Sequence, residues 1–217
     1  MNNEIYNINP EPVGLFTLSQ EKHSRYPIHM WNAPEKFNQK FKNEPYSRHV
    51  CNEVNQNIFN SFDKLKELKS DINNILNTYI KNIGFLCDEF VINSAWVNKS
   101  NKNATLAMHH HANSYISGNY FVDFDPKKHS PLIFQNDRKS GPTNRQAIEI
   151  PSIPSKSTAY NIDAMTLPAK EGQILIWRSH VNHGYISPNK SDNRITLSFN
   201  AMPKTLSKGL YTFTVSE

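Results

Sequence analysis

Two histidines at alternate positions, His109 and His111 in the stretch TLAMHHHANSYISGN (105–119), have the type and spacing to do chemistry. In an extended strand alternate side chains share a face, so these two point one way and His110 the other. A pair of neutral imidazoles on one face can hold a divalent metal once a third ligand arrives from elsewhere in the fold. A histidine run can equally be a solvated surface patch. The second block, EGQILIWRSHVNHGYISPNKSDNRITLSFN (171–200), tips the balance, because it contains a strand, a histidine, a turn and then a strand that opens with arginine. His183 is the candidate third ligand. His180 precedes it by an odd separation, which on an extended segment puts the two on opposite sides. Asp123 and Asp125 are weaker candidates for a carboxylate ligand, and Asn113 is weaker still.

The strand RITLSFNAM separates its faces well, with Arg194, Thr196, Ser198 and Asn200 on one and Ile195, Leu197 and Phe199 on the other. The apolar face can pack on a helical layer. The polar face can meet water, or it can look into a cavity if the sheet closes around one. Arg194 is accordingly either a surface arginine or a guanidinium fork that grips a carboxylate, a task for which a planar set of donors is suited. Tyr120 shares a face with Gly118 and has a hydroxyl that could reach a ligand, although a strand tyrosine more often packs.

These residues need elements to position them. The chain has 217 residues and a net charge of +5, enough for one well-buried domain, and we expect a single domain over 1–217. The positive charge is spread among asparagines without the dense basic block that tracks a phosphate backbone, so nucleic acid is not indicated. No apolar run is long enough to cross a bilayer, and the first residues lack the pattern of a signal peptide, so the expected location is cytoplasmic. Cys51 and Cys87 are too few and too far apart for a disulfide framework or a cysteine zinc site, and both read as packing residues. His23, His29 and His49 have no partner spacing and receive no role.

A short strand at 13–18 leads into a proline-punctuated arm, and together with a helical support these make up an N-terminal part over 1–87. From about 52 to 83 apolar residues recur every three or four positions, the pattern of an amphipathic helix that Gly84 would end. Ser70 and Asp71 offer a second start, so the segment reads as one helix or two with a bend. Strand candidates then follow at 90–98, 105–111, 115–124, 132–135, 146–150, 173–177, 194–202 and 210–215. A helical region followed by many short strands predicts a mostly β protein with flanking helices, its core a barrel or sandwich over 88–217 with the 52–83 helical layer packed on one sheet. The proline-rich stretch 125–170 is either a lid over a site or a structural insertion.

The blocks WVNKSNKNATLAMHHHANSYISGNYFV, SPLIFQNDR, AKEGQILIWRSHVNHGYISPN and NRITLSFN, in this order, resemble a family of 2-oxoglutarate- and iron(II)-dependent oxygenases found in bacteria and marine phages. The resemblance runs from about Phe90 to Asn200 and implies a double-stranded β-helix, the jelly-roll fold of the cupins. Matched position by position, it picks out Trp96 and Asn98, His109 and His111, Ser117 and Gly118, then Gly172, His183 and Arg194. It implies that His109, His111 and His183 hold Fe(II) as the cofactor. It also implies that Arg194, eleven residues past His183, pairs the far carboxylate of the cosubstrate 2-oxoglutarate. Thr196 would assist through its hydroxyl, with Asn98 and Tyr120 nearby.

The implied reaction couples oxidative decarboxylation of 2-oxoglutarate and reduction of dioxygen to hydroxylation of a small molecule or a side chain, with no catalytic residue required beyond the metal site. Oxygenases of this kind usually carry a carboxylate where this chain has His111. A site of three neutral imidazoles leaves the ion's charge uncancelled, which favours anionic ligands. It also resembles the three-histidine sites of cupin-type dioxygenases that use no 2-oxoacid. Two non-enzymatic alternatives stand beside these: a β-helix domain that binds a small ligand, and a structural protein, with a homodimer left open.

Overall fold

A computed structural model describes residues 11–26, 48–50, 57–87, 89–135, 164–208 and 211–215, together with isolated positions between 151 and 162. The N-terminal part contains β1 (Val13–Thr17), a helix at 20–26 (α1), β2 (Arg48–Val50), α2 (Ile58–Ser61) and α3 (Lys66–Asn82). Strands follow: β3 (Phe90–Ser100), β4 (Leu106–His109), β5 (Ile116–Asp123), β6 (Ile133–Gln135) and β7 (Ala164–Thr166). The chain continues through β8 (Gln173–Arg178), β9 (Asn182–Tyr185), β10 (Arg194–Pro203), β11 (Thr205–Lys208) and β12 (Tyr211–Thr214).

The larger sheet has the order β1-β8-β5-β10-β3-β2, the smaller one the order β4-β9-β6-β7, and β11 and β12 form a separate hairpin. Every ladder between these strands is antiparallel. The larger sheet is the divider of the molecule. Alternation along its strands sends Ala95, Val97, Ile116, Val122, Ile174, Ile176, Ile195, Leu197 and Phe199 to one side, where they join Leu65, Leu68, Ile72, Leu76, Tyr79 and Ile80 in the main apolar core. To the other side go Phe121, Leu175 and Trp177, which pack with Phe124, Leu132, Phe134, Val181 and Tyr185 in a second, smaller cluster. A polar cleft opens on this second side.

The helical layer covers the larger sheet as its apolar spacing predicts, but its break falls elsewhere than expected. Asn57 accepts a hydrogen bond from the Phe59 N–H and caps the one-turn α2. Phe62 is extended, a 3-10 turn at Asp63–Leu65 follows, and α3 then runs unbroken through Ser70 and Asp71. Asp71 spends its carboxylate on the Tyr26 hydroxyl and the Lys22 ammonium, which hold α1 against α3. Gly84, at φ 85°, adopts the left-handed conformation that ends the helical segment.

Strands β2, β7, β9 and β11, each of three or four residues, escape the sequence reading. The strand expected at 146–150, like His29 and Cys51, lies outside the described residues. Cys87 packs at the edge of the main core. Among the described residues no helix is long and apolar enough to cross a membrane.

Candidate metal centre

The site is built where the two sheets face each other. His109 ends β4 and His183 lies on β9, and the antiparallel register places them directly opposite. Close approach of these strands depends on Gly184, since a Cβ there would meet the backbone oxygens of Leu106 at 2.7 Å and Ala107 at 2.8 Å. His111 lies two residues past β4, just before a turn at Ala112 and Asn113, its N–H donating to the Ser179 carbonyl at 2.9 Å. The three imidazoles converge: their candidate ligand nitrogens all lie within 4.8 Å of one another. Ring centroids are 4.4 Å apart for His109 and His183, 5.1 Å for His111 and His183, and 5.2 Å for His109 and His111.

Hydrogen bonds decide which nitrogen of each ring is available. Nδ1 of His109 is 2.8 Å from the Ala107 carbonyl, and Nδ1 of His183 is 2.9 Å from the Val181 carbonyl. A carbonyl oxygen can only accept, so both rings carry their proton on Nδ1 and leave Nε2 bare. Nδ1 of His111 donates to Oδ1 of Asn200 at 2.6 Å, which gives it the same tautomer. Burial pulls the pKa of His183 from its ordinary value down to about 3, against the Val181 carbonyl, which favours the charged form. A ring held neutral in this way is a ready metal ligand.

The cleft continues past the histidines along the polar face of β10. Its walls are Trp96, Leu106, Leu132, Trp177 and Tyr185, and its floor carries Asn98, Asn119, Arg194, Thr196 and Ser198. The free space measures about 420 Å³, the open mouth included. Among the described residues lining it none is acidic. Arg194 is only 2% exposed. Its Nε donates to the Ser130 carbonyl at 3.2 Å, and its guanidinium lies 4.4 Å from the Tyr185 ring centroid and 5.5 Å from that of Phe124. Burial pulls its pKa down to about 10, which still leaves it charged at neutral pH. Its Nη2 has no partner, and neither does Oγ1 of Thr196. A buried cation with an unspent donor beside an unspent hydroxyl is a seat for an anionic group. Asn98 donates to Ser198 at 2.8 Å and Ser198 donates to Asn119 at 3.0 Å, a polar rung across three strands that leaves Oδ1 of Asn98 and Nδ2 of Asn119 without partners.

Residues 94–200 match the model of the family described as "Putative 2OG-Fe(II) oxygenase". The chain belongs to this oxygenase family. No curated protein sequence matches the oxygenase. Among solved structures it is similar to the non-heme alpha ketoglutarate dependent epimerase SnoN from nogalamycin biosynthesis, at 12% identity over 90% of this chain and 77% of that one, with a TM-score of 0.58. HygX from Streptomyces hygroscopicus, solved with nickel and 2-oxoglutarate bound, is 9% identical over 89% and 83% of the two chains, with a TM-score of 0.57. A prolyl-4-hydroxylase from Pseudomonas putida is 8% identical over 88% of each, with a TM-score of 0.55. At such identities the likeness speaks for the fold, and the two facing antiparallel sheets of the oxygenase are a double-stranded β-helix.

The structure brings His109, His111, His183, Arg194, Thr196 and Asn98 into one cleft, and it leaves Tyr120 out. Tyr120 does share a face with Gly118, but that face is the helix side of the larger sheet. It pairs with Leu197, is fully buried, and its hydroxyl lies 2.6 Å from Nδ1 of His23. The expectation that it reaches the cosubstrate is therefore corrected. Asp123 ends β5 opposite Ile195, and Asp125 accepts from the Lys127 N–H at 2.9 Å in a turn, so neither supplies a ligand to the histidine group. His110 is exposed, and His180 meets Glu11 at 3.3 Å on the surface. Sequence reasoning overlooked His23, which joins Tyr120 to Glu171, and Asn200 as the partner of His111. Only the second had a signal, since Asn200 falls on the polar face of β10 together with Arg194.

Proposed function

We propose that the oxygenase holds iron(II) on Nε2 of His109, His111 and His183 and binds 2-oxoglutarate with its far carboxylate on Arg194 and Thr196, to hydroxylate a small molecule or a side chain. The single observation that carries this reading is the state of Arg194: buried, charged, without an acidic partner and with Nη2 unspent, in the same cleft as three convergent imidazoles. The donor set fits the metal. Three neutral nitrogens with fixed tautomers suit a divalent first-row ion and leave further positions open to other ligands.

Charge supports the cosubstrate as well. The cleft lining has the guanidinium as its formal charge and no acid to cancel it or the ion's charge, so a dianionic ligand spanning metal and arginine is favoured from both ends. When bound, iron(II) supplies the reduction of dioxygen coupled to oxidative decarboxylation of 2-oxoglutarate to succinate. The chain does the rest. Ala107, Val181 and Asn200 orient the three rings, and Arg194 and Thr196 fix one end of the 2-oxoacid. Trp96, Trp177, Tyr185 and Leu132 keep bulk water from the reacting atoms. We read residues 1–217 as one catalytic unit, because α1 and α3 close an apolar sheet face that the strands alone would leave bare.

Anaerobic addition of iron(II) and then 2-oxoglutarate to the metal-free protein tests this reading. Wild type should develop the visible charge-transfer band of a chelated 2-oxoacid. Arg194→Ala should weaken 2-oxoglutarate binding by at least about 30-fold, the low end of what truncating one partner of a buried charged pair costs. Iron binding without the band would move the protein to a three-histidine dioxygenase that uses no 2-oxoacid, and absence of iron binding would end the oxygenase reading of this cleft.

A further inference from the structure

The three imidazoles are not held alike. His109 and His183 each donate to the backbone carbonyl two residues earlier in their own chain segment, Ala107 and Val181, so the strand that carries the ring also orients it. His111 sits beyond the end of β4, and its Nδ1 donates to a side chain, Oδ1 of Asn200 at 2.6 Å. That oxygen also accepts from Ser117 at 2.9 Å. Ser117 lies 2.8 Å from the Ser179 hydroxyl, which lies 2.7 Å from that of Ser114. Ser179 additionally takes the His111 backbone N–H on its carbonyl.

Each hydroxyl has one proton, so the direction of the string follows from its end. Oδ1 only accepts, hence Ser117 donates to it, Ser179 donates to Ser117, and Ser114 donates to Ser179. Bonds that all run the same way reinforce one another. Turning the Asn200 amide end over end would present Nδ2, reverse the donors and shift the His111 proton to Nε2, which would remove the lone pair a metal needs. The observed orientation is the ligating one. We propose that Asn200, oriented by the Ser114–Ser179–Ser117 string, is the positioning residue that makes His111 a metal ligand, so that the metal affinity of this site is set by a residue that is not itself a ligand. The inference rests on the three-histidine reading above and deepens it.

The test is titration of the metal-free protein with Co(II), read by its visible d–d absorption, with thermal unfolding of each variant recorded in parallel. Asn200→Leu, similar in size but unable to accept, should bind Co(II) about 10- to 100-fold more weakly, the usual loss on removing a partner behind a ligating histidine. Its absorption bands should also change. Asn200→Asp offers only acceptors and cannot turn to the wrong orientation, so it should bind Co(II) at least as tightly as wild type, a rescue that a purely structural role for Asn200 would not produce. Ser117→Ala removes one support and should move affinity in the same direction by less, and it carries the test if Asn200→Leu does not fold. Wild-type affinity and bands in a folded Asn200→Leu or, failing that, in Ser117→Ala would overturn the positioning role alone. Wild type that binds no Co(II) would overturn the three-histidine site and this inference with it.

Discussion

The two faces of the larger sheet are made by the same strands, often by adjacent residues, and they treat buried polar groups in opposite ways. On the helix side, within an apolar core, the polar set of His23, Tyr120 and Glu171 is satisfied, and two buried side-chain oxygens of α3, those of Asn73 and Asn77, are left without a partner. Glu171 accepts from Nε2 of His23 at 2.8 Å, and Nδ1 of the same ring lies 2.6 Å from the Tyr120 hydroxyl. Burial, with Tyr26 and Glu171 close by, pushes the Tyr120 phenol well above its ordinary range. On the cleft side Arg194, Thr196, Asn98, Asn119 and Trp177 each keep a buried polar atom without a partner. Native proteins rarely leave such atoms unmet, and a concentration of them on one face marks where a ligand completes the structure. The strands' own polar groups are met by the chain on the helix face and wait for a ligand on the cleft face.

If that division is right, damage to the helix face should lower stability and spare binding. The largest effect is expected from Leu76→Ala in α3, where Leu76 is fully buried against the sheet. Loss of its side chain should cost about 2–5 kcal/mol in denaturant unfolding. The folded fraction should still develop the 2-oxoglutarate band at wild-type concentrations of iron(II) and cosubstrate. A loss of chelation out of proportion to the loss of folded protein would mean that the faces are coupled.

Tyr120→Phe sharpens the comparison, because Tyr120 lies one residue from the cleft-side Asn119. The substitution leaves Nδ1 of His23 buried without its partner, which should cost about 1–3 kcal/mol. Affinity for 2-oxoglutarate, measured through the same band, should stay within a factor of two or so of wild type, in the range expected for a group that makes no ligand contact. A large loss of cosubstrate affinity would return Tyr120 to the site.

The sequence made the arrangement of β10 legible because seven residues of strict alternation, 194–200, declare both faces, and the same holds for α3 with its heptad-like apolar spacing. His109 and His111 were legible as a pair, and His183 followed from its place before the arginine-led strand. Tyr120 was not, since alternation says which residues share a face but never which face looks inward, and Gly118 beside it gives no apolar clue. The Phe199 ring, whose Cζ would lie 2.1 Å from a Cβ at Gly118, reveals the side only in three dimensions. His23 was equally hidden, its partners lying 97 and 148 residues away. The break at Phe62 was misplaced because Ser70 and Asp71 are good capping types locally, while the tertiary bonds of Asp71 to Tyr26 and Lys22 override that preference.

The smallest effect on stability, and the one opposite in sign, is expected at Arg194. In the protein without ligand its charge is buried with no counter-charge, so its contribution to folding is a desolvation cost. Against that cost stand one hydrogen bond to the Ser130 carbonyl and the two aromatic rings that flank the guanidinium. Arg194→Met keeps most of the apolar contact with Tyr185 and Phe124 and removes the charge. Unfolding of the metal-free variant should therefore be unchanged or more resistant by up to about 1 kcal/mol, the low end of gains seen when buried charges are replaced by apolar side chains. The same variant should lose the 2-oxoglutarate band that Leu76→Ala and Tyr120→Phe retain. A clear destabilisation by Arg194→Met would show that the guanidinium belongs to the fold, as His23 does, and would erase the contrast between a face completed by the chain and one completed by its ligand.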